Sequence, residues 1–524
     1  MKSSESKHWH WGASFFVLAA ASLYLQAFLL PGTPIYQGDS SPIFLLDAMR
    51  MLHGEIIYKN FFELTLPGAP AIYFLLLKWF GIHMWIPSAV FVALGVALAF
   101  LGWKISSALF EQPLAHLASL LFLAFAFSTE RDPTHHWFSG LAVLGALAFV
   151  ARGWAPKRMI GAGACLGLAT LFTQSTGVLA VLGFVAYFAW DGRNHASVAR
   201  KTLENLGELA AGFALITLPA AVWLIHSAGF ARLLYCTLLF PLKYFHLWFW
   251  NTPRAMTAEI PSRRAFLEVP ALVIWASMYA VVGFAYVAWP AQICLEKGKA
   301  WAEGERYVAL LGFVGFFELV SVLFSPSWLR VSSISLPALV ILVWRVRQSR
   351  FAGVAIGFLT LAAAAMLVAR PAIVQTSSQG TLQFPAGRAA LLSRSRFEKL
   401  RWLLARTAPG DFIFQASDCD LYFPLELRDP APVPFVTASG YSRPAQIRAT
   451  ARALRTRKIQ YVLWSVWLDV PRHRADPHFD AAVLAPLRDA LRKRYHLVRS
   501  FGPPDYDQVW KLNGSGAAAP HARR

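Results

Sequence analysis

Three groups of ionisable residues stand out against an apolar background. The first is Asp39, set in Gly38-Asp39-Ser40-Ser41-Pro42. An acidic residue followed by Ser, Ser and Pro is turn and helix-start chemistry, which places the carboxylate in a loop at a helix entrance. The second is the stretch 128–137, where Glu130, Asp132, His135 and His136 crowd into seven positions. Two carboxylates and two imidazoles can orient a polar substrate or ligate an ion. No HExxH or similar spacing is present, and the plainer reading is a solvated turn. The third is 228–268, where Lys243, Tyr244, His246, Asn251, Arg254, Arg263 and Arg264 lie among Phe245, Trp248, Phe249 and Trp250. Lys and Arg supply point-charge and bidentate contacts to phosphate. The aromatics also read as ordinary interfacial anchors.

The elements that must position these groups are mostly apolar helices. An apolar run from Gly12 to Leu30 precedes Asp39 and is long enough to cross a bilayer. From Pro42 to Leu52 the residues Ile43, Leu45, Leu46, Met49 and Leu52 recur at helical spacing, Asp47, Arg50 and His53 fill the other face, and Gly54 ends the segment. That pattern predicts a helix lying in the membrane interface, with Asp47 keeping its polar face in water. A second interfacial piece, Ala69 to Phe80, carries Lys78 and Trp79. A carboxylate held between two interfacial helices is placed to meet a lipid-borne substrate.

Composition fixes the class. With 56% hydrophobic residues and a mean hydropathy of +0.45, the chain is too apolar for a soluble globular protein. Eleven spans are expected near 11–30, 84–108, 114–129, 137–151, 159–174, 176–190, 206–227, 269–290, 306–324, 328–344 and 351–369. The first is read as a retained helix, since it lacks a small-x-small cleavage site. The net charge of +20 is distributed as basic clusters at 152–158, 193–201, 297–306 and 345–350, each between apolar runs. Basic residues that punctuate membrane spans follow the positive-inside rule and argue against nucleic-acid binding. With the amino terminus inside, all four clusters fall on the cytoplasmic side. Residues 31–82, 130–136, 228–268 and everything after 370 then share the opposite face. The four cysteines form no CxxC pair, so neither a disulfide framework nor a thiolate metal site is expected.

After 370 the pattern changes. Residues 371–385 read as a linker. Helices are expected at 396–407, 444–457 and 480–494, with strands at 411–416, 459–465, 496–501 and 507–512, giving a small soluble α/β domain over 386–513. Residues 371–524 hold 23 Lys+Arg against 12 Asp+Glu, a basic balance suited to anionic headgroups or to an ordinary solvated surface. Asp418, Cys419 and Asp420 follow a strand end without a Gly-rich phosphate loop, so no chemistry is assigned to them. Residues 514–524 are expected to be a disordered tail.

The order acidic residue, amphipathic helix, Gly-Glu-x-x-Tyr-x-x-Phe-Phe (54–62), Pro-x-x-Pro (67–70), short aromatic helix resembles the first periplasmic loop of type C glycosyltransferases. The bacterial protein-mannosyltransferase and aminoarabinose-transferase group is the nearest in pattern, over roughly residues 10–370. That resemblance implies a 1–370 catalytic membrane domain, a polyprenyl-phosphate sugar as donor and Asp39 as the catalytic carboxylate, although Ser40 stands where the family has Glu. It implies that Glu130 or Asp132 lies near the catalytic acid and in some members helps hold a divalent cation. Phe-Pro-Leu-Lys-Tyr (240–244) also resembles the family text, which assigns Lys243 and Tyr244 to the lipid phosphate. Arg330 is a further candidate for that phosphate, with Arg254, His135 and His136 as additional substrate-binding candidates.

The expected function is transfer of a sugar from a lipid-linked donor to an acceptor at the periplasmic face of the bacterial inner membrane. The acceptor class, whether protein, lipid or glycan, stays open, as does metal dependence. The alternative is a transporter or flippase of a lipid-linked substrate. It accounts for the spans and the cationic loop, but places the acids poorly, since transport sites gather near the bilayer midplane.

Overall fold

The structure is a computed structural model that describes residues 2–38, 41–194, 199–260, 269–296, 301–457, 459–473, 476–503 and 506–514. Asp39, Ser40, Arg263, Arg264 and the tail from 515 lie outside the described residues.

A helix coincides with each expected span. The long ones are Trp85–Ser106, Gln174–Asn194, Ala199–Ala228, Val269–Gly283 continuing to Leu295, and Ala352–Thr376. Five described helices are long and apolar enough to cross a membrane. Shorter apolar helices include His135–Val150 and Gly12–Ala27. Their outward faces are apolar. Val354, Phe358, Leu361 and Val368 on one helix, and Leu215, Leu218 and Val222 on another, are all exposed. Apolar surface on this scale needs lipid as its solvent, so this is a polytopic helical membrane protein.

The chain folds as two compact units that are discontinuous in sequence. The first comprises 1–27, 89–223 and 253–375 and holds almost all of the long apolar helices. Its helix ends sort into two sets. At one end Asp191 pairs with Arg306 at 2.5 Å, Trp190 meets Trp301, and Arg347 donates to the Leu109 carbonyl. At the other Gln26 donates to Ser128, Arg370 donates to the Ser128 carbonyl, and Trp328 donates to Thr129 and Glu259.

The second unit comprises 28–88, 224–252 and 376–524. Its four-stranded sheet runs Ile413–Gln415, Tyr461–Ser465, Asp507–Leu512, Tyr495–Ser500, with only the first pair parallel. Helices Arg394–Leu404, Pro444–Thr456 and Ala485–Arg494 complete the α/β pattern. Phe414, Val462, Trp464, Ile447, Leu454, Leu487 and Leu491 fill its core. The stretch read as a linker is structured. It carries the end of the helix to Thr376 and a hairpin pairing Gly380–Phe384 with Gly387–Leu391. Hairpin residues Ala389, Ala390 and Leu391 are buried, and Ile35 bridges to Ala390. Segment 28–88, expected to belong with the membrane helices, thus packs as part of the α/β unit. Along Pro42–Leu52 the apolar pattern marked burial against protein, with Phe44, Leu45, Leu46 and Met49 buried.

Candidate functional site

In the second unit the chain around position 39 is fixed on both flanks. Upstream, Tyr36 donates its backbone N–H to the Ala390 carbonyl at 3.0 Å and its hydroxyl to the Asp420 carbonyl at 2.6 Å. Arg396 donates to the carbonyls of Gln37 and Gly38. Gly38 has φ +67°, and a Cβ there would meet the Tyr36 ring at 3.1 Å and the Arg396 guanidinium at 3.4 Å, so only glycine fits without strain. Downstream, the Ser41 carbonyl accepts from Phe44 and Leu45 and Pro42 opens the helix Pro42–Leu52.

Arg396 is itself held by a buried ionic network. It pairs with Asp420 at 3.2 Å. Lys399 pairs with Asp420 at 3.4 Å and with Asp507 at 2.8 Å. Burial pushes the Asp420 carboxyl up, but Lys399 and Arg396 outweigh it and hold the group below its ordinary range. Beside it, burial and then the Asp420 charge push Asp418 well above the ordinary range. Asp420, to which the sequence assigned no chemistry, therefore anchors the segment that leads into Asp39 through Tyr36 and Arg396.

The helix Pro42–Leu52 corrects an expectation. Asp47 and Arg50 are 1% and 4% exposed and do not face water. Arg50 donates to Asp429 Oδ2 at 2.8 Å and to the Ala431 carbonyl, and its guanidinium lies over the Phe61 ring. Asp47 is hydrogen-bonded to Glu63, and burial first, then Glu63, push its carboxyl well above the ordinary range. Glu63 Oε1 in turn accepts from the N–H groups of Leu64 and Thr65. The polar stripe of this helix meets a matching set of buried charges. The Tyr58 and Phe61 of the Gly-Glu-x-x-Tyr-x-x-Phe-Phe stretch are core residues, and Phe62 packs edge-on against Phe240 at 4.6 Å.

Lys243 is exposed on the short helix Phe240–Tyr244 of the same unit. The Tyr244 ring lies under the Arg443 guanidinium at 4.0 Å. Arg443 was missed in the sequence because it lies two hundred residues from its partner.

In the first unit, Asp132 is buried and Glu130 half-buried, and the His135 and His136 rings are 3.9 Å apart. Arg330 lies within electrostatic reach of both histidines and of Glu259, and donates to the Ser325 carbonyl at 3.2 Å. The structure thus brings Arg330 to the histidine pair across two hundred residues of sequence. Arg370, held on the Ser128 carbonyl at 3.0 Å with Glu130 in electrostatic reach, joins this end of the unit. It was missed, although an arginine ending an apolar helix against the charge bias is the same signal that singled out the cationic loop. Arg254 is exposed at the start of the helix Ala255–Glu259. Among the described residues no three His, Cys, Asp or Glu side chains are grouped to hold a metal ion.

No protein-family model matches the sequence, and no curated protein sequence does. Solved structures do match, and they define the class: the chain has the fold of type C glycosyltransferases. ArnT from Cupriavidus metallidurans in its apo state superposes with a TM-score of 0.56 at 13% identity, over 97% of this chain and 98% of that one. The same protein bound to undecaprenyl phosphate gives 0.51 at 13% identity, over 96% and 98%. An oligosaccharyltransferase from Archaeoglobus fulgidus gives 0.52 at 11% identity, over 97% of this chain and 75% of its own.

Proposed function

We propose that this protein is a membrane glycosyltransferase that moves a sugar from a polyprenyl-phosphate donor to an acceptor at the periplasmic face, with Asp39 as general base. The observation that carries the reading is the anchoring of both flanks of Asp39 inside a type C glycosyltransferase fold. A similar structure in that fold binds undecaprenyl phosphate.

In this reading an acceptor O–H or N–H gives its proton to the Asp39 carboxylate as the heteroatom attacks the anomeric carbon. The bond from that carbon to the phosphate oxygen breaks, and the electron pair leaves on the lipid phosphate. One carboxylate suffices because phosphate is already a good leaving group. Lys243, Tyr244 and Arg330 stabilise the charge developing on that phosphate, with Arg254 as a further contact. Glu130, Asp132, His135 and His136 orient the acceptor.

The deciding experiment is turnover of a radiolabelled polyprenyl-phosphate sugar, without nucleotide sugar, by membranes carrying wild-type or Asp39→Asn protein. A general base contributes roughly 10²–10⁴-fold, and the variant is expected to lose about that much while still inserting. Near-normal turnover by the variant removes Asp39 from the chemistry. A donor that crosses the membrane without being consumed favours the transporter instead. A periplasm-dependent reporter fused after Gln375 is expected to be active, and one fused after Arg347 silent.

A further inference from the structure

We propose that the α/β unit carries a saccharide-binding pocket, whose described lining includes none of the phosphate-binding candidates Lys243, Tyr244, Arg254 and Arg330. A cavity of about 190 Å³ opens between the segment Trp248–Trp250, the loop Phe435–Ser439 and the strand end Ser465–Leu468. Its lining combines flat aromatics, notably Trp248, Phe435 and Trp467, with polar groups, notably Asp418, Ser439 and Asp507. Drug-sized ligands occupy about 300–1,000 Å³, so the space suits a single ring or small polar head.

The lining selects among small ligands. A pyranose presents an apolar C–H face and a rim of hydroxyls. The negative face of an aromatic ring attracts C–H groups, and carboxylates and hydroxyls accept from sugar O–H. A phosphate fits poorly, because Arg472 is the one lysine or arginine among the described lining residues, set against Asp476 and Asp507. A lipid tail fits poorly against so many polar atoms.

The walls are held before any ligand arrives. The Trp467 backbone N–H donates to Ser465 Oγ at 3.3 Å, and its ring stands edge-on to Tyr506 at 5.3 Å. Trp248 packs on Phe435 at 5.1 Å and on Tyr441 at 5.5 Å. Asp418 Oδ1 accepts the Cys419 N–H at 2.7 Å. Pre-set walls lower the ordering cost of binding.

The pocket also shares a wall with the ionic network. Asp507 lines it and pairs with Lys399, Lys399 pairs with Asp420, Asp420 pairs with Arg396, and Arg396 holds the carbonyls of Gln37 and Gly38. This wiring assigns the saccharide to the acceptor, a step that rests on the glycosyltransferase reading; the binding itself does not.

The test uses the purified full chain in a detergent without a sugar headgroup, with saturation-transfer NMR to methyl β-glucopyranoside, methyl N-acetyl-β-glucosaminide, glycerol and ethanolamine. Transfer to the ring protons of at least one glycoside, displaced by an excess of that glycoside and absent for glycerol, is expected. Trp467→Ala should weaken it by about tenfold or more, as removal of a central aromatic contact does, and Trp467→Phe should recover part of the loss. Asp418→Asn should weaken it without changing shape. Equal transfer to glycerol, no transfer to either glycoside, or wild-type transfer in folded Trp467→Ala and Asp418→Asn protein overturns the proposal. Stronger transfer to ethanolamine reassigns the pocket to a cationic head and overturns it as well. Should both variants fail to fold, displaceable, ring-selective transfer in the wild type decides. Binding that persists in Asp39→Asn while turnover is lost supports both readings. Binding with normal Asp39→Asn turnover sinks only the mechanism, and turnover without binding sinks only the pocket.

Discussion

The helices Pro42–Leu52 and Gly68–Phe80 pack in one unit and were both expected to lie in a membrane interface, yet they solve different problems. The second leaves Leu75, Trp79 and Phe80 exposed, with Lys78 over the Phe74 ring, as an interfacial helix should. The first buries Asp47 and Arg50 against Glu63, Asp429 and Ala431. A charged stripe at helical spacing means that the stripe needs a high-dielectric or oppositely charged partner. It does not say which. Water supplies one kind of partner, and a distant aspartate supplies the other.

The largest expected effect tests this contrast directly. Arg50→Ala leaves Asp429 buried without its partner and should destabilise the α/β unit by about 3–5 kcal/mol, the cost of breaking a buried pair. Thermal unfolding in detergent measures it. The double change Arg50→Met with Asp429→Leu should recover much of the loss, because an apolar replacement leaves no orphan charge. An Arg50→Ala protein that melts with the wild type would return this helix to the membrane surface.

A smaller effect is expected at Arg396, which holds chain and not core. Arg396→Ala removes charge-assisted hydrogen bonds to Gln37 and Gly38 and one partner of Asp420. Hydrogen bonds to charged groups contribute about 1.5–3 kcal/mol, so the loss should fall in that range. Hydrogen exchange in peptides spanning 36–45 should rise, with turnover falling alongside. Faster exchange with unchanged turnover would separate the anchored loop from the chemistry.

How far the sequence reached follows from the range of each signal. Spans, the strand at 461–465 and the helix at 444–456 were legible because periodicity is local. The hairpin 380–391 was hidden, since Gly, Ser, Pro and Gln there read as a breaker run, and only the burial of Ala389–Leu391 reveals a strand. Arg50–Asp429, Arg443 over Tyr244, and Arg330 beside the histidines span from about two hundred to nearly four hundred residues. No window on the chain joins such partners.

The third prediction sets Asp47 against its neutral mimic. In the folded protein, burial and Glu63 hold the Asp47 carboxyl protonated above its ordinary range, whereas the unfolded chain releases that proton near pH 3.9. Between those values the folded state binds more protons, so the wild type loses stability as pH rises. The amide of the Asp47→Asn variant carries no such proton. That variant should therefore gain stability relative to wild type as pH goes from 5 to 8, and the difference of two melting curves cancels the histidines common to both. Asp429, pushed up to about 7 mainly by burial, titrates in both proteins, and because its charge helps raise Asp47 its ionisation adds to the same difference. A constant difference across pH would mean that Asp47 is ionised and solvated.

The smallest effect on stability is expected at Trp79, where the sharpest distinction between the two helices lies in their solvent. Trp79 is 69% exposed, so replacing it should change stability by no more than about 0.5 kcal/mol. Its surroundings can be read instead with nitroxide labels at Trp79→Cys and His53→Cys, in a background lacking the exposed Cys294 and reconstituted in liposomes. A label at 79 should relax with oxygen, which concentrates in lipid, because an exposed indole flanked in sequence by Lys78 and Phe80 suits an interfacial anchor. A label at 53 should relax with a water-soluble nickel chelate, because His53 ends a helix whose charges are already met by protein. If both labels respond to oxygen, the first helix lies in the bilayer after all and its buried charges face the wrong solvent. If both respond to nickel, neither helix touches the membrane, and a lipid-borne donor must reach the Asp39 loop by another surface.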